Sequence, residues 1–158
     1  MRHTIKILGL FSVLALSACD DGGEAKAYGR FVGTWRATSG TSTTTCPGYA
    51  PSTESFAGTL TWSAGVSSDL VMTDPASSCV TLADVAGSTA TGLPGQTCSA
   101  SDGDGVVYTL SLNGYTFVIS PDGHTATENA SATLSVVVEG ATVVCSVNST
   151  GAYQKVSN

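Results

Sequence analysis

The chain has 158 residues, a formal net charge of −6 at pH 7 and an apolar fraction of 42%. This length allows one domain with a buried core, and the apolar fraction excludes a wholly disordered chain. The acidic balance argues against nucleic acids and anionic membrane surfaces as partners, because both attract basic proteins. The chain is rich in Ser, Thr and Gly and poor in the residues that favour helices, which predicts an all-β domain.

The N-terminus has the organisation of an export signal. Met1–Lys6 is basic, and Ile7–Leu16 is an apolar run that is too short to span a bilayer. Leu16-Ser17-Ala18-Cys19 then resembles the lipobox of bacterial lipoproteins. In that family a peptidase cleaves before the cysteine, whose thiol carries diacylglycerol. An ordinary signal peptide with an incidental cysteine is the alternative.

The lipobox resemblance implies a lipid anchor on Cys19. Residues 1–18 are then the signal peptide that is removed, residues 19–28 are a flexible tether, and residues 29–158 are one all-β domain. Two or more acyl chains, diacylglycerol and palmitate, anchor a protein stably to a lipid bilayer. The expected location is the bacterial cell envelope, at a periplasmic face or the cell surface. Asp20 resembles an inner-membrane retention signal, but this code differs among lineages and leaves the membrane open.

The remaining cysteines predict two disulfides. With Cys19 lipidated, an even number is left, and an exported protein permits their oxidation. Zinc binding is disfavoured, because no CxxC pair is present and His124 is the sole histidine after the signal. Of the three pairings of Cys46, Cys79, Cys98 and Cys145, we favour Cys79–Cys98 as a short-range link and Cys46–Cys145 as a link between the two ends of the domain.

The N-terminal half predicts short strands separated by turn signals. The alternation from Phe31 to Ala37 predicts a strand. Ser39-Gly40 is predicted to turn the chain, and Thr41–Cys46 is predicted to run back as the next strand. Further strands are predicted at residues 56–62, 70–72, 79–85 and 88–93, with Ala86-Gly87 as the turn between the last two.

Gly33-Thr34-Trp35 resembles the Gly-x-Trp signature that opens lipocalins and lipocalin-like barrels. The resemblance implies an eight-stranded cup for a small apolar ligand, with the tryptophan at one end. The lipocalin Thr-Asp-x-Tyr motif is absent. The arginine of the last lipocalin strand is also absent, and Lys155 is its only substitute.

The C-terminal half predicts a hairpin around Asn113-Gly114. Val106–Leu112 and Tyr115–Ile119 both alternate, and Asn-Gly favours a type I′ turn of two residues. Pairing Leu112 with Tyr115 places the large apolar side chains of both strands on one face.

A second hairpin is predicted around Glu139-Gly140. It joins Ala132–Val138 to Ala141–Val147 and places Cys145 opposite Leu134, pointing inward. The preceding segment, His124–Glu128, is poor in apolar residues and is predicted at a sheet edge.

These segments predict a single antiparallel meander of about eight to ten strands. The meander is predicted to close as a β-barrel, of which a lipocalin-like barrel is one form, or to fold as a β-sandwich. Two disulfides are expected in either case.

Few residues suggest chemistry. His124 follows a Pro-Asp-Gly turn and is interpreted as a surface residue, and no Gly-x-Ser-x-Gly elbow is present. Asp102 and Asp104 alternate with Gly103 and Gly105, where calcium binding is the alternative to ordinary turn chemistry, and we favour the turn. The sequence thus predicts no catalytic residues, no metal and no cofactor.

Two further sets of residues have alternative interpretations. Glu54 and Glu128 are expected at strand ends facing solvent, with an inward carboxylate pair for a ligand or for acid–base catalysis as the alternative. Core packing is preferred over lining of a ligand cup for the aromatic residues Trp35, Trp62, Tyr108, Tyr115 and Phe117.

The predicted function is non-catalytic. The protein is expected to bind a small apolar ligand or an envelope component, with the lipid bilayer as the partner of its anchor. The alternative is a structural or surface-interaction lipoprotein without a ligand pocket.

Overall fold

The structure, a computed structural model, describes residues 28–75, 79–101, 106–138 and 140–157. Cys19, with the predicted signal and lipobox, and the calcium candidates Asp102 and Asp104 lie outside the described residues. In the described ranges, no helix is long and apolar enough to cross a membrane. The strands are β1 Gly33–Thr45, β2 Ser52–Ser55, β3 Thr59–Ala64, β4 Leu70–Thr73, β5 Val80–Ala86, β6 Thr89–Gly92, β7 Thr97–Ser101, β8 Val107–Ile119, β9 Thr125–Val138 and β10 Ala141–Ser157.

Eight of these strands form a closed antiparallel barrel. β1, β3, β4, β5, β6, β8, β9 and β10 pair in chain order, and β10 pairs back onto β1. The two additional strands each pair with part of a long strand. β2 pairs with the C-terminal part of β1, and β7 pairs with the N-terminal part of β8. The predicted all-β meander is confirmed, and its closure is that of a barrel rather than a sandwich.

The barrel has long strands on one side and short strands on the other. β1, β8, β9 and β10 contain 13, 13, 14 and 17 residues, whereas β3 to β6 contain four to seven. The long strands therefore continue past the barrel as an open sheet in the order β7-β8-β9-β10-β1-β2. We call this sheet the extension.

Both disulfides are formed in the favoured pairing, Cys46–Cys145 and Cys79–Cys98. The first joins the end of β1 to the start of β10, and the second joins β7 to the residue before β5. The first disulfide therefore lies within the extension, and the second ties strand β7 of the extension to the barrel.

Two predicted turns are wrong, because the chain continues straight through them. β8 runs through Asn113-Gly114, and β1 runs through Ser39-Gly40. In β8 the register shifts by one residue between Leu112 and Gly114, which is a β-bulge. A one-residue bulge keeps Leu112 and Tyr115 on the same face, as the two-residue turn would have done. The prediction that the large apolar side chains share one face was therefore correct, although the turn was not. On that face Tyr115, Phe117 and Ile119 are buried, whereas Tyr108 and Leu110 are exposed on the extension.

The second predicted hairpin is confirmed. Cys145 pairs with Leu134, and the turn at Gly140 has a φ of 82°, a value that glycine adopts readily. A turn is also present next to the position predicted at Ala86-Gly87, but it is shifted by one residue to Gly87-Ser88, with Gly87 at a φ of 61°. The edge position predicted for His124–Glu128 is wrong, because β9 lies between β8 and β10 along its whole length.

The barrel interior is filled by aromatic side chains around Phe117. The Phe117 ring lies 5.2 Å from Trp35, 5.5 Å from Tyr153 and 5.7 Å from Trp62, measured between ring centroids. The Trp35 contact is edge-on, an arrangement that aromatic quadrupoles favour. Of the aromatic residues predicted in the core, four are buried, whereas Tyr108 is exposed on the extension.

One end of the barrel is closed by the turn that precedes β1. Phe31 is fully buried there and accepts a hydrogen bond from Trp35 Nε1 at 2.7 Å through its carbonyl oxygen. The Lys155 ammonium lies 5.5 Å from the centre of the Trp35 ring and donates to the Arg30 carbonyl oxygen at 3.0 Å. Arg30 in turn donates to the backbone carbonyl of Pro121 at 2.7 Å. We call this the closed end.

Candidate functional site

A cavity of about 520 Å³ lies over the aromatic core, away from the closed end. Its walls come from the middle of β1 and β10, from β3 and β4, and from the segments that follow β2 and β4. Apolar side chains make up much of the lining, and Glu128, Tyr153 and Asp74 provide its main polar groups. The apolar part consists of Ala37, Phe56, Ala57, Leu60, Met72 and Pro75.

Two facing glycines make room for the side chains of Phe56, Tyr153 and Glu128, which line this cavity. Gly40 of β1 pairs with Gly151 of β10. A Cβ on Gly40 would overlap the ring of Phe56, and a Cβ on Gly151 would lie 2.8 Å from Tyr153 and 3.3 Å from Glu128 Oε2. Because both positions lack side chains, the half-buried Phe56 ring lies directly against the barrel wall beside the carboxylate.

Glu128 is the buried acid of this site. It is 9% exposed and pairs with Phe117 on one side and Gly151 on the other, so its side chain points into the barrel. Tyr153 Oη donates a hydrogen bond to Glu128 Oε2 at 2.5 Å. Burial raises the pKa of Glu128, the tyrosine hydroxyls oppose that shift, and the negative charge of Asp74 adds to it.

A second tyrosine hydroxyl faces the same carboxylate. Tyr115 is 5% exposed, and its pKa is raised by burial and then by the negative charge of Glu128. In the described part of the chain, Tyr115 Oη and Trp62 Nε1 are the buried side-chain polar atoms that lack a hydrogen-bond partner.

The structure separates the two carboxylates that were considered as a pair. Glu54 is exposed on β2, as expected. The expectation that Glu128 faces solvent is wrong, because strand β9 continues through it and turns its side chain inward. His124 is exposed in the turn between β8 and β9, as expected for a surface residue.

Sequence reasoning missed Tyr153, Gly151 and Asp74. Tyr153 and Gly151 follow the parity of Cys145 in β10, so a longer version of the second predicted hairpin would have placed them inward. Asp74 follows β4 in a loop, where no periodic pattern applies.

The site brings a buried carboxylate and a phenol to an apolar cavity. Glu128 and Tyr153 offer a negative charge and hydrogen-bonding groups there. Among the described residues, no cluster of three or more His, Cys, Asp or Glu side chains is placed to hold a metal ion.

The buried charge of Glu128 predicts a stability effect that depends on pH. The pKa of Glu128 is raised above its ordinary value of 4.5, so the folded state holds the proton more tightly than the unfolded state. Stability therefore falls as pH rises from about 4.5 through the raised pKa. Glu128→Gln is expected to increase the free energy of unfolding at pH 7 by roughly 1 kcal/mol, with a gain that shrinks on acidification.

Urea denaturation of both proteins across this pH range measures the difference. Glu54→Gln is the matched control, since it removes an exposed carboxylate and should change stability by less than about 0.5 kcal/mol at every pH. A Glu128→Gln protein that is less stable than the original at every pH would contradict the prediction.

Comparison with known proteins gave no match: no family model fits the chain, and no curated protein or solved structure is significantly similar to it.

Proposed function

We propose that this protein is a bacterial envelope lipoprotein that binds a small, largely apolar ligand without chemical conversion. The cavity of about 520 Å³ carries this proposal, because it combines apolar walls with a few convergent polar groups. Cavities of this kind and size are typical of small-molecule sites, which run from about 300 to 1,000 Å³.

The arrangement of the barrel fits a tethered binding protein. The described chain begins at Tyr28, at the closed end, so a tether from Cys19 joins the barrel there. The cavity is lined by Ser42 and Ser149, further along β1 and β10. Along β1 the lining runs from Ala37 to Ser42, roughly 13 to 30 Å from Gly33, so the cavity lies away from the proposed anchor.

The disulfides are consistent with an exported protein. Disulfides persist in oxidising compartments such as the bacterial periplasm and the cell surface, and they are rare in the cytosol. The chain forms two of them from the cysteines that remain after Cys19. This supports the envelope location that the lipobox implies.

Filling the cavity is expected to abolish ligand binding. Ser149 is half-buried in the lining, and Ser149→Phe adds a ring to the space that the ligand requires. Native mass spectrometry of the full-length protein, released from detergent, should show a co-purifying small molecule on the original protein and a loss of at least about tenfold in its occupancy on the variant.

Ser146→Phe is the control for this substitution. Ser146 is exposed on the same strand and points away from the cavity, so occupancy should be unchanged. Equal occupancy in the Ser149→Phe protein, or a ligand-free original protein, would contradict ligand binding in this cavity.

Replacing Cys19 tests the anchor. Cys19→Ser removes the thiol that acylation requires, and most of the protein should move from the membrane fraction to the soluble fraction and lose palmitate labelling. Ser17→Ala keeps a small residue before the cysteine and should stay in the membrane. An unchanged membrane fraction of Cys19→Ser would contradict lipidation at this residue.

The alternative function is that of a surface-interaction lipoprotein. One observation favours it: Tyr108, Leu110 and Val143 are each 36–40% exposed and lie on one face of the extension. The cavity-filling experiment separates the two functions, because a surface interaction does not depend on the space beside Ser149.

A further inference from the structure

The charged residues in the described lining of the cavity are acidic. Glu128 and Asp74 are the acidic residues of its lining, and the lining contains no Lys, Arg or His among the described residues. Arg36 precedes the lining residue Ala37 on β1, but it is exposed and has the opposite parity, so its side chain points to the outer face. Arg30 and Lys155 are engaged at the closed end. A ligand with a carboxylate or phosphate would meet uncompensated negative charge, which costs free energy in a poorly solvated site.

Two aromatic rings stand beside the acid. Phe56 and Tyr153 both line the cavity, and the glycine pair Gly40–Gly151 lets them approach Glu128 closely. Aromatic faces attract organic cations, and this attraction grows when the cation is partly desolvated. A carboxylate next to aromatic rings therefore suits an ammonium group.

The acid has phenol groups beside it, but the described residues of the lining include no cation. Tyr153 Oη donates to Glu128, and the buried Tyr115 Oη faces the same carboxylate. A ligand ammonium at Glu128 offers further donors to the carboxylate and leaves the phenol oxygens free to accept from it.

We infer that the cavity selects a small amphiphile with an apolar body and one protonated amine, with the amine at Glu128 and the body against Leu60 and Met72. This inference rests on the proposed ligand-binding function and names the chemical class of its ligand. Pairing with an amine also offsets the cost of burying the Glu128 charge, since the described residues of the lining include no cation.

The test compares three probes of similar size that differ in their polar group: phenethylamine, 2-phenylethanol and 3-phenylpropionate. The full-length protein is held in lipid nanodiscs, and empty nanodiscs correct for partition into the bilayer. Binding is followed by fluorescence of Trp62, which pairs with the cavity residue Met72, and of Trp35. The amine should bind with a dissociation constant on the order of 1 mM and at least about tenfold tighter than the alcohol. The carboxylate should bind most weakly.

Glu128→Gln removes the charge and keeps the shape of the side chain. It should abolish the preference for the amine and leave the affinity for 2-phenylethanol within about twofold, which also shows that the variant is folded. Glu54→Gln, on exposed strand β2, should keep the full preference.

The possible outcomes separate the two proposals. If the alcohol or the carboxylate binds as tightly as the amine, ligand binding stands and the amine inference is overturned. An amine preference that persists in Glu128→Gln overturns it as well. If none of the three probes changes the fluorescence of the original protein, both proposals are overturned.

Discussion

Removal of the Cys46–Cys145 disulfide is expected to lower the free energy of unfolding by about 4.7 kcal/mol. The two cysteines are 99 residues apart, so the link closes a loop that contains most of the domain. Such a link acts mainly on the unfolded chain, whose entropy it reduces, and the reduction grows with the length of the loop. In the folded barrel, β1 and β10 remain paired along their length without it.

The second disulfide provides the matched comparison. Cys79 and Cys98 are separated by 19 residues, and their removal should cost about 3 kcal/mol. The double variants Cys46→Ala/Cys145→Ala and Cys79→Ala/Cys98→Ala are compared by urea denaturation. Alkylation without reductant should leave the four disulfide cysteines of the original protein unmodified. A larger loss from the short loop than from the long one would contradict this account.

Side-chain parity was the most informative signal in the sequence. The pairing of Cys145 with Leu134 followed from alternation on both sides of Glu139-Gly140 and is observed. Because a slip of one residue would turn a whole apolar face outward, the buried face determines the register strongly. The two disulfide pairings are consistent with the same meander, since its first and last strands are neighbours in a closed barrel.

Parity alone does not distinguish a turn from a bulge. At Asn113-Gly114, both alternatives keep Leu112 and Tyr115 on the same face, so the alternation that predicted a hairpin is satisfied equally by the bulge in β8. The choice depends on which strands are available as partners. β9 and β7 lie alongside the first part of β8, and β9 and β6 alongside the second, a long-range arrangement that local sequence does not specify.

The site was only partly predictable. The register that pairs Leu134 with Cys145 also pairs Glu128 with Gly151 when both strands are continued. The segment before Glu128 contains few apolar residues, so its burial was not expected from composition. Its burial depends on the neighbours that the barrel supplies, Phe117 on β8 and the hydroxyl of Tyr153 on β10.

The same aromatic residues set the size of the ligand space. Phe117, Trp35 and Trp62 fill the barrel between its closed end and Glu128, so no ligand can enter as deeply as in a hollow cup. The cavity therefore lies above this core, with Phe56 and Glu128 in its lining. We expect the proposed ligand to be compact, with one polar group, rather than a long acyl chain.

Phe117 is expected to be the most important single side chain for stability. Its ring is fully buried and contacts four other rings, those of Phe31, Trp35, Trp62 and Tyr153. Phe117→Ala should lower the free energy of unfolding by about 3–5 kcal/mol, because the loss of buried apolar area is added to the cost of a cavity that rigid neighbours cannot close.

Two variants distinguish this effect from a general loss of aromatic area. Phe117→Leu keeps much of the volume but removes the edge-on contact with Trp35, so its cost should be intermediate. Tyr49→Ala removes a ring that is 74% exposed and should change stability by less than about 0.5 kcal/mol. Urea denaturation ranks the three proteins. If Phe117→Ala and Tyr49→Ala lower the free energy of unfolding equally, the interior is not organised around Phe117. Phe117 would then not be the residue that limits the depth of the cavity.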